Sequence, residues 1–175
     1  AQLIPSMELV AIKSFHTKDT NDGGISTSIL REICILKRLN HPHIIKLRSV
    51  SFEPQIEIIM DNGGITLGEF IKKTSFLERC KKSPNIEQQI ISALAYMHSL
   101  GFAHRDIKPS NILIDDKLTV RLCDLGLATP IFRYTYPKTE PRRNRKLTSC
   151  VGSRWYRAPE MFNNTNYTTA VDVWG

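Results

Sequence analysis

Long apolar runs are missing from this sequence: none approaches the length needed to span a membrane. Missing too is the charged, apolar and small-residue series that would mark an N-terminal secretory leader. Cysteine is sparse, and Cys34, Cys80, Cys123 and Cys150 stand at no metal-ligand spacing. Thiols used this way suit a reducing compartment, so the expected localisation is cytoplasmic or nuclear. Nine glycines and nine prolines are ordinary punctuation for a folded domain. Acid is in deficit, with 17 Asp and Glu against 24 Lys and Arg, a formal charge of +7. Part of that excess is local, since Arg142, Arg143, Arg145 and Lys146 fall within five residues. No aromatic residues interleave there and no nucleic-acid-binding motif accompanies the cluster, which argues against nucleic acid or membrane as the partner. A solvated loop able to meet a phosphate is the better reading. What is present is 41% apolar content in 175 residues, enough for one modest core.

Periodicity places the elements. Residues 7–13 mix strand formers with apolar and polar alternation and predict a strand ending at Lys13. Residues 16–24 read as a loop, with Ser26, Thr27 or Ser28 available to cap a helix. Ile29, Ile33, Leu36 and Leu39 then recur at helical spacing, and Glu32 lies one place off that stripe, where it could face a cleft. Asn40, His41, Pro42 and His43 stop the helix, because proline removes a donor and restricts its neighbour. Two short strands are expected at 44–52 and 56–60, around the turn-prone Glu53 and Pro54. Next come a helix beginning over 66–72, a basic connection over 75–83, and a longer helix opening at Ser83 and Pro84. Ile86, Ile90, Ile91, Leu94 and Met97 carry that helix to a stop at Gly101.

The chemistry concentrates just beyond this helix. His104, Arg105, Asp106, Ile107, Lys108, Pro109, Ser110 and Asn111 put an acceptor, a cation and a carboxamide on one tight loop. Eighteen residues past Asp106 comes Asp124, inside Cys123-Asp124-Leu125-Gly126 and after the strand-like run 118–122. A carboxylate that can accept a hydroxyl proton, a cation and two further oxygen donors are the equipment for moving a phosphoryl group.

At these residues the chain resembles the eukaryotic protein kinases of the serine/threonine type, whose catalytic loop, metal-binding Asp and Ala158-Pro159-Glu160 signature it carries in order. The resemblance implies an α+β class, a partial bilobal protein-kinase fold with a small, mostly β lobe bearing a regulatory helix and a truncated, mostly α large lobe. Residues 1–60 would be the small-lobe portion, 61–64 the interlobe connection and 65–175 the incomplete large lobe. ATP and Mg2+ are the implied cofactors. Lys13, oriented by Glu32, would hold the nucleotide's α and β phosphates. Met60 would stand at the back of the adenine pocket, with Asp61 and Gly63 in the segment whose backbone meets the adenine edge. Asn111 and Asp124 would hold two magnesium ions. Asp106 would orient the acceptor hydroxyl and take its proton, while Lys108 would neutralise the moving group and accompanies serine/threonine specificity. His104 would brace the loop.

Leu125 replaces the family's usual phenylalanine, which touches inactive-state packing more than metal binding. The run 154–160, Arg-Trp-Tyr-Arg-Ala-Pro-Glu, resembles the branch of cyclin-dependent and mitogen-activated protein kinases. There Thr148 aligns with the activating threonine, whose phosphate could meet Arg105. Cys150 occupies the place of the mitogen-activated kinases' tyrosine, so single-site control at Thr148 is expected. Ser153 would help connect Asp106 and Lys108, and Arg157 is the branch feature associated with proline after the acceptor. Residues 124–160 resemble the family's activation segment, in which Tyr134, Thr135, Tyr136 and Thr139 are further hydroxyls and which the basic stretch 142–146 lengthens. Two Asn-x-Thr matches, at 163–165 and 166–168, read as chance. The implied partners are a protein substrate with a Ser or Thr acceptor, an upstream activating kinase, and a cyclin-like or docking partner.

The resemblance begins at the strand bearing Lys13, without the glycine-rich turn that covers ATP. It ends at residues 170–175, which resemble the start of a central buried helix whose Asp172 ties it to the catalytic loop. The expectation is therefore a fragment of an active parent kinase, with apolar surface exposed where the further helices would pack. The alternative is a noncatalytic kinase-like regulatory or interaction module.

Overall fold

The computed structural model describes residues 8–15, 25–53, 55–131, 147–163 and 167–175. The basic cluster at 142–146, the hydroxyls of Tyr134, Thr135, Tyr136 and Thr139, and residues 164–166 lie outside the described residues.

The N-terminal part is a three-stranded antiparallel sheet under one helix. Strand β1 (Val10–Phe15) and strand β2 (Leu47–Ser51) flank strand β3 (Ile56–Asp61), in the order β1-β3-β2. The register sets Lys13 opposite Ile58 and Ala11 opposite Met60. The polar and apolar alternation continues through Ser14 and Phe15, so β1 runs past Lys13 instead of ending there. Helix α1 (Thr27–Arg38) starts at Ser26, whose Oγ accepts from the Ser28 amide. It buries Ile29, Ile33, Ile35 and Leu36, and with them Glu32. The expected strand over 44–52 divides in two. After the turn at Pro42, Ile44 and Ile45 are drawn into the core, where Ile45 N–H donates to the Leu122 carbonyl at 2.9 Å, and regular pairing starts only at Leu47.

The second part is mainly helical. Strand β4 (Ile65–Thr66) leads into helix α2 (Leu67–Lys73), capped by a reciprocal Thr66–Glu69 pair. Helix α3 (Phe76–Ser99) is longer than the local sequence signals predict. Ser83 and Pro84 look like a helix start, yet Ser75 and Glu78 form a capping box eight residues earlier and the helix runs through the proline. Proline forgoes one backbone bond at a cost of about 3 kcal/mol. On α3, Ile86, Ala93, Leu94 and Met97 are buried, while Ile91 faces out despite its place in the apolar pattern.

Short strands then frame the loops. Strand β5 (Phe102–Ala103) pairs with strand β8 (Thr129–Pro130), and strand β6 (Ile112–Ile114) pairs with β4 and with strand β7 (Val120–Leu122). Asp115 accepts from the amides of Lys117 and Thr119, and Leu118 takes a left-handed φ of 61°, so the strand-like run 118–122 starts two residues late. Helices α4 (Glu160–Asn163) and α5 (Val171–Trp174) complete the described chain. One core cluster joins α1, β3, α3, β6 and β7, with Ile58, Met97, Leu122 and Leu125 fully enclosed. Each such side chain contributes about 1.5–3 kcal/mol by leaving water. A smaller cluster gathers Ala158, Met161, Tyr167 and Val171. Trp155 and Trp174 are 92% and 61% exposed. Among the described residues no helix is long and apolar enough to cross a membrane.

Candidate active site

The loop from His104 to Asn111 is held from below by one buried carboxylate. Asp172, at the start of α5, accepts from the His104 amide at 2.8 Å and from the Arg105 amide at 2.7 Å. His98, from the last turn of α3, shares its Oδ2 at 2.8 Å. Two elements, α5 and α3, thus fix a backbone that at Arg105 adopts a φ of 69°, a conformation that L side chains avoid unless their surroundings impose it. The His104 ring is fully buried, with Nε2 3.0 Å from the Cys123 carbonyl, and so braces the loop against the Asp124 strand end.

Asp106 is the convergence point. Its Oδ1 accepts from the Ser153 amide at 2.7 Å, and its Oδ2 from Lys108 Nζ at 2.6 Å and from Asn111 Nδ2 at 2.9 Å. Lys108 Nζ also donates to Ser153 Oγ at 2.6 Å. Burial works against the charged form of Asp106, but the hydrogen bonds from Lys108 and Ser153 outweigh it and hold the carboxyl below the ordinary aspartate range. At neutral pH it is an ionised acceptor beside a cation.

A second cluster lies across the cleft. Lys13 Nζ reaches both carboxylate oxygens of Glu32 and Oδ1 of Asp124, each at 2.9 Å. Burial disfavours the Lys13 ammonium, yet Glu32 and Asp124 together more than offset this and raise its pKa. The pair is asymmetric, because burial lifts the Glu32 carboxyl above its usual range in spite of Lys13. Asp124 itself is left-handed, with φ 59°, and its side chain is 47% exposed against 3% for Glu32. Leu125 behind it is wholly buried, so leucine fills the apolar slot that the family usually gives to phenylalanine. Burial pushes the neighbouring Cys123 thiol up to about 12, which keeps it unreactive at neutral pH.

Magnesium fits this donor set. The Asn111 amide nitrogen is committed to the Asp106 carbonyl and carboxylate, which leaves its Oδ1 as an oxygen donor, and Asp124 offers an exposed carboxylate. Among the described residues no group of three His, Cys, Asp or Glu side chains could cage a metal. Two oxygen donors without such a cage suit an ion that keeps several waters and takes phosphate oxygens.

At the connection between the two parts, Met60 ends the core-facing run of β3. The Asp61 amide donates to the Lys46 carbonyl at 3.0 Å and its carboxylate Oδ1 accepts from Arg48, which fixes the residue at the end of β3. Gly63 is buried, and a Cβ there would lie 2.5 Å from Leu113 Cδ1 and 2.9 Å from Leu113 Cβ, so a larger residue would require Leu113 to shift where β6 meets this segment. Further along, Arg157 donates through Nε to the Val151 carbonyl at 2.9 Å and through Nη2 to the Gly152 carbonyl at 2.7 Å. Thr148 is exposed, and its carbonyl accepts from Tyr167, which in turn is bonded to Arg105. Sequence reasoning singles out neither Tyr167 nor His98. Their partners lie 62 and 74 residues away, and nothing in the local pattern reports such distances.

An ion-paired lysine on a small sheet, facing a carboxylate loop on a helical base, is the arrangement that phosphoryl transfer calls for. The protein kinase domain family matches residues 3–175, and the chain belongs to that family. Cyclin-dependent kinase F-3 of Oryza sativa subsp. japonica is 37% identical over 170 residues, covering 95% of this chain and 36% of the relative. Mitogen-activated protein kinase 5 of the same subspecies is 35% identical over 176 residues, covering 95% of this chain and 44% of the relative. The chain therefore spans less than half the length of these curated relatives. Among solved structures, the yeast RNA Pol II CTD kinase CTDK-1 complex superposes with a TM-score of 0.80 at 26% identity, over 99% of this chain and 53% of that one. The mixed α/β bilobal fold and the kinship with cyclin-dependent and mitogen-activated kinases are as the motifs implied.

Proposed function

We propose that this chain is part of a serine/threonine protein kinase that transfers the γ-phosphoryl group of Mg-ATP to protein hydroxyls. The carrying observation is Asp106, ionised, aimed by Ser153 and flanked by Lys108. Mg-ATP supplies the phosphoryl group and the metal's charge. Lys13, steadied by Glu32, would hold phosphate oxygens, and Asn111 and Asp124 would hold magnesium. Asp106 orients the acceptor hydroxyl and takes its proton, and Lys108 offsets the charge beside it. Positioning and electrostatics supply most of the rate in such a transfer.

Arg157 supports a proline-directed preference. Its bonds engage the Val151 and Gly152 carbonyls, so a backbone N–H following the acceptor residue would have to share them with the guanidinium. Proline brings no N–H to leave unsatisfied. The reading extends to an upstream kinase acting on Thr148, to a cyclin-like or docking partner, and to a cytoplasmic or nuclear setting.

The test is transfer of labelled γ-phosphate to Ser-Pro and Ser-Ala peptides. We expect magnesium-dependent labelling that favours Ser-Pro and falls at least about a hundredfold in Asp106→Asn. Labelling that survives the substitution would remove Asp106 from its role, and equal use of the two peptides would remove the role given to Arg157.

A further inference from the structure

Among the described residues, the buried Arg105 guanidinium bonds to neutral groups: Nε donates to the Leu127 carbonyl at 2.7 Å and Nη1 to the Tyr167 hydroxyl at 2.8 Å. The Tyr167 hydroxyl passes the connection on, donating to the Thr148 carbonyl at 2.9 Å. Leu127 lies three residues past Asp124, where the activation segment begins, and Thr148 lies near its far end. One guanidinium, whose own backbone is tied by Asp172, therefore anchors the beginning of that segment directly and its end through a tyrosine. Tyr167 is only 4% exposed and packs with Ala158, Met161 and Val171, so its hydroxyl is fixed from behind.

We propose that Tyr167 is a positioning residue that orders residues 147–153 of the activation segment when Thr148 carries no phosphate. This rests on the kinase reading above. The exposed Thr148 side chain is left open to modification while its main chain is already held. Four residues further on, Gly152 lies against the Arg105 carbonyl and the Ser153 amide aims Asp106. A segment held at Thr148 therefore keeps the acceptor site near its working geometry. Phosphate on Thr148 would add a second tie to the same guanidinium and make the tyrosine less necessary.

The experiment compares wild type and Tyr167→Phe in the full-length protein, each with Thr148 unphosphorylated and phosphorylated. Phenylalanine keeps the ring and its packing and removes only the hydroxyl, leaving Arg105 Nη1 and the Thr148 carbonyl without that bond. Amide hydrogen exchange over residues 147–153 should quicken about tenfold in the unphosphorylated variant, while α3 amides keep their protection. In peptide phosphorylation, KM for the peptide should rise with KM for ATP unchanged, and the deficit should shrink once Thr148 is phosphorylated. Unchanged exchange at 147–153 overturns the proposal. So does faster exchange that spreads equally to α3, or a deficit indifferent to phosphate. If no phosphoryl transfer occurs in either protein, the kinase reading fails, and the exchange data still decide whether Tyr167 orders the segment.

Discussion

Gly152 adopts a φ of 81°, and a Cβ there would stand 2.4 Å from the Arg105 carbonyl oxygen. No flexible side chain can yield at that contact, because the obstructing atom belongs to the backbone that Asp172 fixes. Gly152→Ala should therefore push the segment off the catalytic loop and carry the Ser153 amide away from Asp106. We predict a loss of peptide phosphorylation of at least about tenfold, with nucleotide binding kept. Wild-type turnover in Gly152→Ala, measured with saturating ATP, would show that the close approach does not position the site. Asp106, Lys108, Asn111 and Asp124 were legible as single residues because their spacing within one loop and one strand end is local. Glu32 was legible from its own residues only as a place off the apolar stripe and as the partner of Lys13 only through the family resemblance, and its 3% exposure and double contact with Lys13 required the folded sheet.

Helix α3 shows how an element-level reading errs. Ser83 and Pro84 satisfy the local rule for a helix start, and a basic stretch before them suggests a connection. The competing signal is the reciprocal bonding of Ser75 and Glu78, and it takes the helix back to Phe76. Phe76 and Leu77 are 68% and 71% exposed, so little burial supports these two turns and the cap matters more than usual. Ser75→Ala should lower stability by about 1 kcal/mol and speed amide exchange over 76–83 before the rest of α3. Equal exchange along the whole helix in that variant would mean that packing, not the cap, sets this end.

At the scale of the whole molecule, ionised groups at the centre link stability to pH. The Asp106 carboxyl is held below its unfolded value, so the native state binds that proton less readily. Its contribution is present above the unfolded aspartate value and is lost as pH falls through the lower folded value. Lys13 has the opposite dependence: its raised pKa contributes fully below the unfolded lysine value and is lost as pH rises through the folded one. Its side chain remains 35% exposed, so solvent screens much of that effect. Urea unfolding of wild type and Asp106→Asn should thus give a stability difference that is flat near neutrality and changes below about pH 4. A difference independent of pH down to about pH 2 would show that Asp106 is not held ionised by its neighbours.

The sequence alone determined the family, the order of the motifs, most of the elements and the residues with the chemistry to move a phosphoryl group. These rest on short-range regularities: helical and strand periods, caps, and acid, base and amide groups a few residues apart. Only the tertiary structure decided which of those residues meet. Lys13, Glu32 and Asp124 join across 19 and 111 residues, His98 and Asp172 across 74, and Arg105, Tyr167 and Thr148 form a relay through a buried hydroxyl. The physical reason is that a buried polar group must find its partner wherever the core brings one, and a period of two or 3.6 residues carries no record of that encounter.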